Sequence, residues 1–467
     1  MLQNWSRACL DRRPGHAWLA MMAACLTIGA AVGLLVRDST AEFGILLGHH
    51  LPMAQWWMGG PRRDVLTYPM WGYPALLTLL PVGWLQVAQV LAGSATLALV
   101  WLAARREVTR PRLLLWLLVL AVPWHALCVG WWPMGPASCL ALAAAIGLAR
   151  AHGVRQAALA GLLLGLALQF RSEWLLLPPA VLLVSAATRL GRGAPHLQWG
   201  TWATWAVVAV ALLGPWALHH RQQTGRLALT STNGGMVAYV SLGQLPNNPW
   251  GIVHDDGYAA AVLKRQGIVA APWSHTGHQA LQRLTVEAIT GRPVDYARKV
   301  VHNLRNVFLG GLYVGELSTD PADAERLDVL RERVKLLIGL NPNSAEIERY
   351  RQTGAWDGPG PSARSLLSLA WQSVGVAVGS IYLLAMVIGL VIVWRTGSPT
   401  LLQQVFAALI LAQIANVALL QYQPRHVGAV ELAGAPFVAE ALTLLAARVR
   451  SSRVAGAWRQ KSQGLGE

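Results

Sequence analysis

Long apolar runs, broken only by arginines and by Gly/Pro turns, constrain this chain more than any other feature of its sequence. They recur at 16–36, 84–103, 112–130, 134–150, 156–170, 174–189, 199–218, 366–394, 400–420 and 427–447. About 20 apolar residues in a helix, rising 1.5 Å each, match a hydrocarbon layer of about 30 Å. Backbone inside lipid must satisfy its own hydrogen bonds, which selects helices. The expected fold class is therefore all-α, a polytopic membrane protein with about ten transmembrane helices. Composition agrees: 54% of the residues are hydrophobic and 13% charged, against about 25% charged in a soluble domain.

The formal charge of +16 does not point to nucleic acid. The basic residues punctuate the ends of apolar runs, as topology signals do. Arg105, Arg106, Arg110, Arg112, Arg150, Arg155, Arg189, Arg192, Arg395, Arg448, Arg450 and Arg453 fall on one side of the expected membrane, with Arg7, Arg12 and Arg13. The positive-inside rule makes that side cytoplasmic and, with an even number of spans, places both termini there. The first run is longer than a signal peptide's apolar stretch and no A-x-A-like site follows it, so it reads as a retained span. Cys9, Cys25, Cys128 and Cys139 form no C-x-x-C pair, so neither a disulfide framework nor a zinc site is expected.

This topology divides the chain into a transmembrane module (1–218), an extracytoplasmic insertion (219–364), C-terminal membrane helices (365–450) and a basic cytoplasmic tail (451–467). A shorter outer loop spans 37–83. The insertion reads as mainly helical. Ala297, Val300, Val301, Leu304, Val307 and Phe308 share one face at helical spacing, and 321–340 repeats the pattern with Asp320 as cap and Pro321 at the first helical position. Gly and Pro break 245–257 and 354–361 into loops.

Four stretches carry residues suited to chemistry. In R-D-S-T-A-E, residues 37–42, Ser39 and Glu42 match an S-x-x-E capping box, which accounts for Glu42 locally. Asp38 precedes the cap. A carboxylate at the membrane boundary beside a helix N-terminus stays ionised and can serve as a general base. In P-R-R-D-V-L-T-Y-P-M-W-G-Y-P, residues 61–74, Arg62 and Arg63 oppose the positive-inside trend. They are either solvated or paired with an anion such as a lipid phosphate. Tyr68 and Tyr73, each before a proline, either stack on a sugar or anchor at the interface.

In L-Q-F-R-S-E-W, residues 168–174, Arg171 and Glu173 are either a functional pair near membrane depth or an ion pair tying a helical hairpin. In Q-Y-Q-P-R-H, residues 421–426, Arg425 offers a guanidinium fork for phosphate or else snorkels, with His426 beside it and Glu431 as a possible partner. His254-Asp255-Asp256 holds metal-capable residues that read better as a turn. The adjacent pairs His49/His50 and His219/His220 lack the i, i+4 spacing of helical ligands.

In their order, these segments resemble the C-type (GT-C) polytopic membrane glycosyltransferases, the group of protein O-mannosyltransferases and the lipid A aminoarabinose transferase. The resemblance rests on the acidic pair Asp38 and Glu42 after the first span, the Y-P-x-x-x-Y-P-like stretch at 68–74, the R-x-E hairpin of Arg171 and Glu173, and P-R-H at 424–426. The stretch 229–252, which by its residues reads as a Gly/Asn-rich outer loop, also looks like one in bacterial members. The resemblance implies a GT-C-like fold and Asp38 as catalytic base with Glu42 beside it. It further implies Arg62, Arg63, Arg171 and Arg425 around the donor phosphate, and Tyr68, Tyr73, Glu173 and His426 lining the substrate.

The implied donor is a sugar on polyprenyl phosphate. The acceptor is a hydroxyl of a lipid, glycan or protein on the extracytoplasmic face of an inner membrane, and transfer inverts the anomeric carbon. The second outer loop, G-W-W-P-M-G-P-A-S, lacks the acid that many members carry there, so no metal and no other cofactor is expected. Partners are then the donor, the acceptor and membrane lipid, and no nucleic acid. The competing class is a transporter or flippase for a polyprenyl-linked saccharide, against which the chain shows no internal repeat and has a long outer segment.

Overall fold

The computed structural model describes residues 14–35, 48, 50–60, 70–130, 132–192, 197–310, 312, 321–337, 344–397 and 399–463. Every regular element among them is a helix. In chain order these are α1 (Pro14–Leu35), α2 (Leu51–Trp57), α3 (Gly72–Leu79), α4 (Val82–Ala104), α5 (Pro111–Val119), α6 (Val122–Val129), α7 (Met134–Ala149), α8 (Val154–Phe170), α9 (Leu177–Arg192), α10 (Trp199–Ala211) and α11 (Gly214–Thr224). Then follow α12 (Gly234–Ser241), α13 (Asp256–Arg265), α14 (His275–Gly291), α15 (Pro293–Leu309), α16 (Pro321–Leu337), α17 (Ser344–Gln352), α18 (Ala363–Thr396), α19 (Leu401–Leu419) and α20 (Gly428–Gln463). Short 3-10 turns at Ser172–Leu176 and Pro424–Val427 precede α9 and α20.

Six stretches among the described residues are long and apolar enough to cross a membrane: Val82–Ala104, Pro111–Val129, Trp199–Thr224, Ser365–Thr396, Leu401–Leu419 and Gly428–Val449. The chain is thus a helical protein of membrane-embedded character. The other expected runs also form helices: α1 has 22 residues and α9 has 16. α7 and α8, at 16 and 17 residues, reach roughly 25 Å, short of the hydrocarbon thickness. α9 carries Arg189 and Arg192 in its last turn.

Two spans are interrupted. The first breaks at Leu120–Ala121 and restarts with Pro123; the other breaks at Leu212–Leu213 and restarts with Pro215. Proline cannot donate to the preceding turn, so other groups must satisfy the backbone released there. Gln169 Nε2 donates to the Leu212 carbonyl at 2.6 Å, and Glu431 Oε2 accepts the Trp124 N–H at 2.8 Å. Glu431, for which the sequence offered Arg425 as a partner, therefore serves as a cross-helix cap.

The bundle core is built from Trp101, Trp124, Trp174, Trp205, Trp216, Phe406 and Phe437, with leucines and alanines between them. α8 packs between α7 and α10, and α18 lies along α20. That last crossing is set by Gly389, where a Cβ would stand 1.9 Å from the Phe437 carbonyl oxygen. Small residues let membrane helices approach this closely.

The two ends of the bundle are chemically distinct. At one, Glu107 accepts from Arg150 at 3.1 Å and from the Thr400 hydroxyl at 2.6 Å, and Glu440 takes the Thr109 hydroxyl at 2.8 Å. The other end carries α2, α3 and a folded domain, α12 to α15. That domain has its own core of Met236, Tyr239, Val240, Leu242, Leu263 and Leu281.

The sequence reading of 229–252 as a Gly/Asn-rich loop is revised, because α12 forms within it. The helix expected around 297–308 is present as α15, but it buries Lys299, Asn303 and Val307, while Val301 and Leu304 are exposed. The expected helix at 321–340 is α16; its proposed cap, Asp320, lies outside the described residues.

Candidate functional site

The residues singled out by sequence that the structure describes gather at the domain end of the bundle. Tyr73 lies in α3, on the far flank of the first outer loop. Its neighbour Gly72 sits against the last residue of α8: a Cβ there would meet the Phe170 ring at 2.5 Å. This contact brings the loop flank beside Arg171. Trp71 packs edge-on against Trp57, Trp216 and His219, at centroid distances of 5.8, 6.1 and 5.4 Å. The flank is thereby tied to the end of α11 as well.

Tyr73 itself is fully buried. Its hydroxyl donates to Gln89 Oε1 at 3.0 Å, and Gln89 Nε2 donates to the Cys128 and Gly130 carbonyls at 3.2 and 2.8 Å. Gln86 Nε2 adds a bond to the Val129 carbonyl at 3.1 Å. Two α4 glutamines thus satisfy carbonyls around the end of α6, groups that a helix leaves without intrahelical donors. Tyr73, expected from sequence to line the substrate, is thus held in the packing between α3 and α4.

Arg171 Nη2 donates to Glu173 Oε2 at 2.8 Å, with side-chain exposures of 27% and 9%. The pair closes the turn between α8 and α9, and this turn packs against α19. The hairpin-tying alternative is therefore realised, while the guanidinium retains a solvent-facing edge. Arg171→Met is expected to lower stability by about 1–3 kcal/mol, because it strips a nearly buried carboxylate of its donor. A fall in thermal midpoint that Glu173→Gln in the same chain largely restores would establish this; an unchanged midpoint in the single variant would refute it.

The backbone of Arg425 lies in the Pro424–Val427 turn with His426, whose N–H bonds the Gln423 carbonyl at 2.9 Å. Asp38, Glu42, Arg62, Arg63 and Tyr68 lie outside the described residues.

The structure adds a group of polar residues that sequence reasoning missed. Gln244 grips the Tyr422 backbone with both ends of its amide: Nε2 donates to the carbonyl and Oε1 accepts the N–H, each at 2.9 Å. Asn303 Nδ2 reaches Gln244 Oε1 at 3.2 Å. Lys299, fully buried, donates to the Leu419 carbonyl at 2.9 Å and also to that of Leu420. Tyr296 OH donates to the same Leu419 carbonyl at 2.9 Å. The folded domain is therefore clamped to the end of α19 and to Tyr422, two residues before Pro424.

His254 joins this clamp through Gln421 at 3.2 Å, and its Nδ1 faces the Val240 carbonyl at 3.2 Å. Burial pushes its imidazole below the ordinary range, so it works as a neutral ring. Asp255 caps α13 by accepting the Tyr258 N–H at 3.0 Å. The His-Asp-Asp run is thus a turn and cap. No group of three or more His, Cys, Asp or Glu side chains suited to a metal occurs among the described residues.

The only local hint of the clamp was the i, i+4 pair Lys299 and Asn303 within an otherwise apolar-patterned helix. Gln244 had no signal at all. The chain matches no family model, no curated protein and no solved structure.

Proposed function

We propose that the chain is a GT-C-like membrane glycosyltransferase with about ten spans and both termini in the cytoplasm. It moves a sugar from polyprenyl phosphate to an acceptor hydroxyl on the extracytoplasmic face of an inner membrane. The observation that supports this reading best is the meeting of three segments at one end of the bundle. The flank of the first loop, the Arg171–Glu173 turn and the 421–426 turn all lie there, with a folded domain fastened over the last. A site for a lipid-borne donor and a polar acceptor needs this layout: membrane helices for the prenyl chain, cations at the boundary for the phosphate, and a roof that selects the acceptor.

In this reading Asp38 takes the proton of the acceptor hydroxyl. The acceptor oxygen forms a bond to the anomeric carbon from the face opposite the phosphate. The carbon–oxygen bond to phosphate breaks with its electron pair, and polyprenyl phosphate departs with inversion at the sugar. Charge develops on the departing phosphate, so Arg425, Arg62, Arg63 and the open edge of Arg171 act by stabilising it. Glu42 holds the helix start through Ser39, which positions Asp38.

Binding of polyprenyl monophosphate, the leaving group, tests the cation assignment. Arg425→Ala is expected to weaken it by about 10- to 100-fold, corresponding to the loss of a hydrogen bond to a charged group. Unchanged binding in Arg425→Ala would remove this residue from the phosphate site.

A further inference from the structure

α15 is amphipathic in an unusual sense. Its buried line is polar, Lys299 and Asn303 with Val307, and bonds the end of α19. Its exposed half carries an apolar stripe of Val294, Ala297, Val301 and Leu304, at successive spacings of 3 and 4 residues. Val294 and Val301 are each 65% exposed. Arg298 and Arg305, seven residues apart, run alongside the stripe and are also exposed. Asp295 pairs with Arg298 at 3.0 Å, although 70% of the arginine side chain remains accessible.

Depth follows from α19. Its 19 residues make about 28 Å of helix, nearly the thickness of the hydrocarbon layer. The Leu419 and Leu420 carbonyls that Lys299 and Tyr296 engage therefore mark the boundary between hydrocarbon and headgroups. α15 also packs on α18, the span with the smallest buried share, 22%. That helix exposes Leu366, Leu367, Val374, Val378 and Ile381. α15 thus lies beside a helix whose apolar surface lipid must cover.

We propose that α15 is an interfacial helix lying in the membrane surface. Its Val294/Val301/Leu304 stripe sits below the phospholipid phosphates, and Arg298 and Arg305 lie in the phosphate layer. Helices with an apolar stripe flanked by arginines bind such surfaces through buried apolar area and attraction to anionic lipid. The domain would then be held by two separate attachments, the clamp on α19 and the lipid itself. The inference rests on the membrane-embedded character of the chain and is independent of its chemistry.

The test places a polarity-sensitive fluorophore at position 301 of the full chain in phosphatidylglycerol-containing liposomes. Val301→Cys is made together with Cys9→Ser; Cys25, Cys128 and Cys139 are buried. Val378→Cys on α18 serves as the lipid reference and Val269→Cys, fully exposed on the domain, as the water reference. The 301 label is expected to lose most of its emission to lipids bearing a shallow nitroxide and little to aqueous iodide, as at 378. Behaviour like position 269 would overturn the proposal. Leu304→Cys repeats the measurement should labelling at 301 disturb folding. The double change Arg298→Gln/Arg305→Gln is expected to reduce nitroxide quenching at 301. Equal quenching with and without the arginines would overturn their place in the phosphate layer.

Discussion

Asp38→Asn is expected to leave folding and donor binding intact and to slow sugar transfer by about 10²- to 10⁴-fold, the range for loss of a general base. Asparagine matches aspartate in shape and keeps an acceptor oxygen, but it cannot take a proton. The S-x-x-E pattern of Ser39 and Glu42 is untouched, so a cap formed by it would persist. The loss should fall on kcat, with KM for the donor nearly unchanged, because in the proposed reaction Asp38 acts on the acceptor and other residues hold the phosphate. Glu42→Gln is the informative contrast. Glutamine still reaches back to the cap N–H, so this variant should retain most of its activity. Full activity in Asp38→Asn with normal expression would contradict the assignment of the base.

Lys299→Met should loosen the roof of the site. In the native chain burial pushes the Lys299 amine down to about 7, far below the ordinary lysine range. A neutral amine still has two N–H donors, enough for the Leu419 and Leu420 carbonyls. Methionine fills a similar volume without donating, at a cost of about 1–3 kcal/mol. The pH dependence is the sharper sign. Between about 7 and the unfolded value of 10.5, the unfolded chain holds a proton that the folded chain has shed. Stability therefore rises with pH across that window, by at most about 1.4 kcal/mol per pH unit. Thermal midpoints from pH 7 to 9 should climb in the native chain, and Lys299→Met should lack that contribution. The same slope in both proteins would show that Lys299 is not the group responsible.

Helical class, the apolar runs and α15 were legible because hydropathy and helical period are local properties. So was the Arg171–Glu173 turn, whose partners are two residues apart. The clamp was not legible. Gln244 and Tyr422 are 178 residues apart, and nothing in either segment specifies the other. Lys299 is buried because carbonyls at the end of a distant helix accept its hydrogen bonds. The same cause hid the role of Glu431, which belongs to the break before α6. Tyr73 was legible as a residue of the site region but not as a packing residue, because its partner Gln89 lies in the following helix.

In the proposed function a glycosyl–phosphate bond is broken where the three segments meet. Its most direct test is the fate of a sugar-labelled polyprenyl phosphate in liposomes holding the purified full-length chain and a pool of lipid, glycan and protein acceptors. Label is expected to leave the donor for an acceptor, with free polyprenyl monophosphate appearing in equal amount and both falling together in Asp38→Asn. Label that crosses the bilayer still joined to polyprenyl phosphate, with no monophosphate released, would contradict it and identify a transporter instead.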